Sequence, residues 1–504
     1  VSNSGISQLV SHLGNTAESI AVKNPATGKI TYQLPQHTAA QVLEKFQLAS
    51  HASKDWAATS VADRVEILKR WHKLVLANEN KLLDLLQLET GKSRAHAFEE
   101  YLGAVTPVSY YASIAKKTLA PTRTKPGVPL LTKTYVRHEP IGVVGVITPW
   151  NYPLALTMLD VVPALVAGNT VLQKADNQTA LTALFARSLA ITAGIPENCW
   201  QIVTGPAAEV GNAIVDSVDY VAFTGSTATG RIVAQRAAGR LIGVSLELGG
   251  KNPMIVLESA DVSRAAEIAI AGAVGSAGQL CVSIERVFVA NAIKAEFLRA
   301  ISSKLDQFQI GVSNDFSMDV GSLTGEAQLN RVSGFVADAT AKGAKIISGG
   351  KALPQLGPHF YAPTVLTDVT EDANLFKAET FGPVISVTGF DRVEDAIAQA
   401  NDTEYGLNAS VVGDEREALA VAEKLSAGSV NINEGFRASF ASMESPMGGM
   451  KASGLGRRNG PAGLLKYTEA KSIGISRGPI KLPYRAAQYK TLAPLMRLLL
   501  KYWR

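Results

Sequence analysis

At 504 residues, 46% hydrophobic and 18% charged, the chain is long enough for two or three domains with sizeable cores, and it is neither a disordered nor a repeat protein. The net charge of +5 is local, because residues 471–504 hold eight Lys or Arg and no acid, leaving 41 basic against 44 acidic side chains before them and no basic surface for nucleic acid. Two cysteines and seven scattered histidines, without HExxH or CxxC, exclude a disulfide framework and point away from any metal site; with no apolar run of spanning length and no signal pattern, a cytoplasmic enzyme using side chains or an organic cofactor is expected.

In chain order, Val61, Val65, Leu68, Trp71, Leu74 and Val75 recur at helical spacing, so residues 1 to about 116 read as largely helical. Residues 119–138 break that pattern with Pro121, Pro126, Gly127 and Pro129, followed by the alternating run Leu131–Val136, an extended arm. From 141 to 248 one rhythm repeats: apolar runs at 141–147, 170–173, 200–203, 220–223 and 244–248 alternate with helical stretches. Strands separated by single helices pair in parallel, which predicts a doubly wound α/β sheet of Rossmann type. A second α/β region follows at 252–449, with strands expected at 254–257, 286–289 and 384–387. A weakly alternating segment at 464–479 precedes the basic tail. The expected division is a cofactor-binding domain at 1–118 and 139–249, a catalytic domain at 250–449, an oligomerisation arm at 119–138 and 450–479, and a tail at 480–504.

Three places carry chemistry. Phe223-Thr224-Gly225-Ser226 follows a strand and opens a helix, and such turns hold phosphate on backbone N–H groups, although this one is neither GxGxxG nor a P-loop. Lys174 ends the second strand, where dinucleotide folds ordinarily place an acid for the adenine ribose; a cation there suits a ribose phosphate, and a solvated surface lysine is the plain alternative. Cys281 sits in Gly278-Gln279-Leu280-Cys281, downstream of Glu247 in Glu247-Leu248-Gly249-Gly250-Lys251. Most lone cysteines, Cys199 included, are inert core residues, but a thiol beside a carboxylate can be a nucleophile beside its base.

These segments, together with Ile147-Thr148-Pro149-Trp150-Asn151-Tyr152-Pro153 and Glu379-Thr380-Phe381-Gly382-Pro383, resemble the signature set of the aldehyde dehydrogenase superfamily over residues 20–475. In detail they are most similar to its NADP-type succinate-semialdehyde dehydrogenase branch in actinobacteria. The resemblance implies an aldehyde-dehydrogenase-like fold and oxidation of an aldehyde to a carboxylic acid, with succinate semialdehyde the expected substrate and another aldehyde the alternative. It also implies Cys281 as nucleophile, Glu247 as base for hydrolysis of the thioester and Asn151 as oxyanion donor. NADP is the expected cofactor and NAD the alternative, held by Ile147, Thr148, Pro149, Trp150, Lys174, Asn177, Gly205, Phe223, Gly225, Ser226, Leu248, Glu379 and Phe381. Asn177 stands where NAD-preferring members carry glutamate, while the adjacent Asp176 could face either way. Tyr152, Leu156, Leu280, Val282, Phe436 and Phe440 are expected to line an apolar substrate channel, with Arg286 and Arg437 as candidates for a substrate carboxylate. A homo-oligomer, dimer or tetramer, is expected through the arm, and the tail is expected to pack on a neighbouring subunit rather than on an anionic membrane. A binding protein that kept the fold without activity is the rival from another class.

Overall fold

The computed structural model describes residues 3–127, 132–477 and 483–501. Two compact units emerge: a large one from residues up to Thr118 with Pro140–Thr468, and a small one from Leu119–Glu139 with the residues from Glu469 on.

The large unit opens with the helix Asn3–Ser11, an antiparallel hairpin of β1 (Glu18–Lys23) and β2 (Ile30–Gln36), and four further helices, among them Val61–Ala77, which buries Val65, Leu68, Trp71 and Val75. Its first sheet contains β5 (Val143–Ile147), β6 (Thr170–Lys174), β7 (Trp200–Val203), β8 (Tyr220–Thr224) and β9 (Gly243–Glu247), all parallel, with β17 (Gly454–Leu455) antiparallel at one edge; the order is β17-β9-β8-β5-β6-β7. Every residue of β5, β6, β7 and β8 is buried, which is why these strands read as continuous apolar runs rather than alternating ones. The chain leaves β5 toward β6 on one side and returns to β8 on the other, so a crevice opens beyond their C-terminal ends.

The second sheet contains β10 (Asn252–Val256), β11 (Ile284–Ala290), β12 (Lys345–Ser348), β13 (Thr364–Thr367), β14 (Val384–Phe390), β15 (Asn408–Val412) and β16 (Ser429–Ile432), in the order β12-β13-β14-β11-β10-β15-β16. Only the edge strand β12 is antiparallel. Val287, Phe297, Val332 and Val365 anchor the core on one face, and Ile255, Phe288 and Val411 that on the other. Both sheets belong to one compact unit, not to separate bodies.

The expected arm at 450–479 starts later than the sequence suggests. Residues 450–468 stay with the large unit: β17 pairs with β9, the helix Gly460–Leu465 packs on Arg94–Thr118 and Pro153–Ala167, and Tyr467 is fully buried. The apolar Leu464 and Tyr467 are core residues, not one face of a strand.

In the small unit β3 (Thr122–Thr124), β4 (Thr132–Pro140) and β18 (Thr468–Ser476) form a sheet in the order β18-β4-β3, and a helix follows at Ala486–Lys501. Pro129 and Leu131 of the expected arm, and residues 478–482 and 502–504 of arm and tail, lie outside the described residues.

Candidate active site

Beyond β5, β8 and β9 lies a cleft of about 760 Å³ lined by Pro149, Trp150, Asn151, Gly225, Ser226, Glu247, Leu248, Cys281, Glu379 and Phe381, all expected from sequence, and by Leu156, Thr224, Gly249, Gln328 and Arg331. Local structure explains how each arrives. Ser226 caps the helix Thr227–Gly239, accepting from the Thr229 N–H, so the free end of that helix faces the cleft. Side chains are kept away on both walls: a Cβ on Gly225 would lie 2.7 Å from the Phe223 ring, and one on Gly249 would lie 2.8 Å from Glu379 Oε2. The turn Asn151-Tyr152-Pro153 is held from below by Glu100, which accepts from the N–H groups of Leu154 (2.8 Å) and Ala155 (3.3 Å) and is itself paired with buried Lys92.

The loop before Cys281 is unusual. Ser276, Ala277 and Gly278 all have left-handed φ (52°, 54° and 70°), and a Cβ on Gly278 would collide with the Gly382 carbonyl at 2.1 Å. Gln279 fixes the turn by accepting from the Thr324 N–H at 2.9 Å, and its carbonyl accepts from Asn151 Nδ2 at 2.9 Å. That leaves the second Asn151 N–H available to the cleft. On the far side Asn252 donates to the carbonyls of Cys281 (2.8 Å) and Ser283 (2.7 Å), while Asn408 donates to those of Val282 (2.9 Å) and Gly435 (3.0 Å) and accepts from Asn431 (3.0 Å). Burial, reinforced by Glu247 and Glu379, pushes the Cys281 thiol up to about 12. Cys199 is 1% exposed, faces no cavity described here, and burial pushes it up to about 12 as well.

Glu247 is 4% exposed, and neither carboxylate oxygen has a hydrogen-bond partner. Burial pushes it up to about 7 against the pull of Arg458 and Lys466. Those two cations belong to a buried cluster in which Arg458 pairs with Asp160 and donates to Thr224 Oγ1, Lys466 donates to Asp160 at 3.2 Å, and Tyr467 donates to it at 2.8 Å. Although burial pushes Asp160 up, its cationic partners hold it well below the usual carboxylate range. Glu379 accepts from the Gly250 N–H at 2.9 Å, and burial together with Glu285 pushes it up to about 7. Phe381, at φ 58°, meets Trp150 edge-on with ring centroids 5.6 Å apart. The loop carrying both is tied to β11: Glu285, ion-paired with buried Lys251, accepts from the N–H groups of Thr380 and Phe381.

The remaining expected cofactor residues lie along the strand ends beside this cleft rather than in its wall. Ile147 and Lys174 are opposite one another in β5 and β6, Phe223 faces Ile147 from β8, and Thr148 donates to the Lys174 carbonyl at 3.2 Å. Lys174 is 6% exposed, with a single long contact from Nζ to the Ala175 carbonyl at 3.4 Å. Asn177 accepts from the Gly205 N–H at 2.9 Å and donates to Gln36 Oε1 at 3.2 Å, and Asp176 accepts from the Gln178 N–H at 2.9 Å.

A second cavity, about 1030 Å³, is lined by Tyr152, Leu280, Phe436, Arg437 and Phe440 of the expected channel and by Leu102, Leu159, Met443, Met447 and others. Arg437 there donates to Glu99 Oε1 at 2.7 Å. Leu156 lines the first cleft instead, and Val282 lines neither. Arg286 is placed differently from expectation: it is 7% exposed in β11, and its guanidinium donates to the carbonyls of Lys251, Gln399 and Ala400. A guanidinium so occupied holds loops together and is not open to a substrate carboxylate. Among the described residues no group of three or more His, Cys, Asp or Glu could hold a metal ion.

A doubly wound sheet whose switch-point crevice ends on a half-buried thiol and a desolvated carboxylate has the architecture of a dinucleotide-fold enzyme. The sequence pattern of the aldehyde dehydrogenase family matches residues 12–473, and the chain belongs to that family: it is an enzyme that oxidises an aldehyde to a carboxylic acid. A Mycobacterium tuberculosis protein provisionally named succinate-semialdehyde dehydrogenase NADP(+) 2 is 47% identical over 481 residues, 94% of this chain and 93% of its own length. The crystal structure of an Escherichia coli NADP-dependent enzyme superposes with a TM-score of 0.87 at 36% identity, covering 91% of this chain and 95% of that one. Betaine aldehyde dehydrogenase of Staphylococcus aureus in complex with NAD+ gives 0.89 at 29% identity, covering 96% and 99%.

Proposed function

We propose that this aldehyde dehydrogenase binds NADP in the first cleft and oxidises succinate semialdehyde to succinate through a covalent intermediate on Cys281. The observation that carries the mechanism is the buried, unpartnered Glu247 carboxylate in the same cleft as that thiol. Cys281 gives up its thiol proton to solvent in the cleft as Sγ adds to the aldehyde carbon, and the oxyanion of the thiohemiacetal takes the spare Asn151 N–H; losing one such donor costs about 2.7 to 4 kcal/mol of transition-state stabilisation. When bound, the dinucleotide supplies the acceptor for the hydrogen and electron pair that leave the thiohemiacetal. Glu247 then takes a proton from a water molecule, which attacks the thioester carbonyl and frees the acid and the thiol.

The cleft suits a dinucleotide. Its side-chain-free walls at Gly225 and Gly249 and the helix end at Ser226 would hold the pyrophosphate, Trp150 with the backbone at 147–148 the adenosine, and Glu379 and Phe381 the nicotinamide ribose. The fold alone does not choose between cofactors, since the Staphylococcus aureus neighbour is in complex with NAD+. Lys174 supports the 2′-phosphate reading: its ammonium makes one long hydrogen bond and interacts electrostatically with Asp176, while neutral Asn177 raises no repulsion. A charge-assisted hydrogen bond of about 1.5 to 3 kcal/mol corresponds to roughly tenfold to a hundredfold discrimination. Asn177→Glu should therefore move the NADP/NAD ratio of kcat/KM toward NAD by about that factor. The ratio is the quantity to measure, because losing the amide bond to Gln36 alters both cofactors alike. An unchanged ratio would show that Asp176 or another group controls the pocket.

A second substrate class is favoured by the second cavity. Half of its lining residues are leucine, phenylalanine or methionine, and its one arginine is already paired with Glu99. A neutral aldehyde with an apolar tail would meet no unpaired charge there. Kinetics with succinate semialdehyde and unbranched neutral aldehydes of increasing length, each with both cofactors, separate the two. Highest kcat/KM for succinate semialdehyde with NADP is the expected result; neutral aldehydes that overtake it select the second class. Oxidation of none would reject both. We place the enzyme in the cytoplasm and infer a homodimer or tetramer, the oligomer supported by the three-stranded sheet of the small unit, whose outer strands β18 and β3 are edges of the kind that are usually paired or covered.

A further inference from the structure

The small unit is charged unlike the rest of the chain. Its two segments hold twelve Lys or Arg against two acids, Glu139 and Glu469, while the large unit holds 37 against 42. Such segregation gives the small unit, and above all its second segment with eight of the twelve basic residues, a preference for an anionic surface.

The helix Ala486–Lys501 adds a second, independent pattern. At 100° per residue, Tyr489, Leu492, Leu495 and Met496 fall within an arc of about 120°, and Lys490, Arg497 and Lys501 within about 40° on another side. Leu498 lies between the arcs. Tyr489, Leu495 and Met496 are 48%, 53% and 39% exposed, values unusual for large apolar side chains clustered on one helix face. No helix among the described residues is long and apolar enough to cross a membrane.

We propose that Ala486–Lys501 docks the enzyme on an anionic lipid bilayer, lying flat with the apolar arc in the acyl boundary and the basic arc at the headgroups. A bilayer supplies both complements at once: hydrocarbon for Leu492, Leu495 and Met496, and negative charge for Lys490, Arg497 and Lys501. A second copy of the helix supplies only the first, because two such segments brought face to face place like charges together. The sequence alone favours subunit packing for this tail; the exposed arcs and the charge segregation favour lipid.

The test is co-sedimentation of the full chain with phosphatidylcholine vesicles and with vesicles containing about one-third phosphatidylglycerol, at low and high salt. The protein should pellet with the anionic vesicles only, and high salt should release it. Leu495→Glu with Met496→Glu, and separately Lys490→Glu with Arg497→Glu, should each cut binding by about tenfold or more while aldehyde oxidation stays within about twofold of the parent. The oxidation rate serves as the folding control. Failure of the parent chain to bind anionic vesicles overturns the proposal. So does equal binding to neutral vesicles, or a Leu495→Glu/Met496→Glu chain that instead loses its oligomeric state by light scattering.

Discussion

Cys281→Ala is expected to abolish aldehyde oxidation, a fall of at least about 10⁴-fold in kcat, whereas Cys199→Ala should stay within about twofold of the parent. Both thiols are pushed up to about 12, so acidity does not distinguish them. Position does. Cys281 opens onto the cleft beside Glu247 and Glu379, and Cys199 packs in the core at the start of β7. The same geometry predicts slow alkylation of the resting enzyme by iodoacetamide, because a thiol next to two carboxylates keeps its proton at neutral pH. Steady-state rates of the two variants decide the matter, and comparable losses in both would remove Cys281 from its role.

Glu247→Gln is the second large effect. Neither Glu247 oxygen is hydrogen-bonded, so the isosteric amide breaks no contact and the fold should hold. Acylation should survive, giving a burst of reduced cofactor equal to the enzyme concentration, followed by turnover slowed about 10²- to 10⁴-fold as the thioester waits for water. Removing the charge also relieves one cause of the raised Cys281 thiol, so alkylation of the variant should be faster than that of the parent. The parent's pH profile follows with its sign. Burial raises Glu247 to about 7, the base is therefore protonated below that pH, and kcat should fall as the medium is acidified through about 7. An ordinary glutamate would hold its charge down to about 4.3. Rapid-mixing measurements that show neither a burst nor slowed turnover would exclude Glu247 as the base.

How much of this was legible follows from what local sequence encodes. The strands of the first sheet that are buried on both faces announce themselves as apolar β-branched runs, and the expected spans at 200–203 and 220–223 differ from the observed ones by one residue at most. Strands β15 and β16 escaped because Asn408 and Asn431 interrupt any apolar run, and β17 because it is two residues long. The same asparagines clamp the nucleophile loop; the only hint was their presence in a chain region otherwise rich in strand formers. Glu285 and Lys251 were invisible as a pair, since 34 residues separate them and only tertiary contact joins them. Arg286 was misplaced for a related reason: sequence displays its charge but not the backbone carbonyls that consume it.

Strand β11 carries two functions on adjacent residues. Cys281 precedes it by three positions, and Glu285, its second residue, grips the loop of Glu379 and Phe381. The nucleophile and the expected nicotinamide-ribose contacts therefore share one register, and a one-residue slip of this strand against β14 would displace both together. For anyone grafting this chemistry into another scaffold, residues 275–286 would have to travel with 379–382 and Lys251, with the clamping Asn252 and Asn408, and with Asn151 and Glu247. Moving the thiol loop without its clamp would import the reactive group and leave its alignment behind.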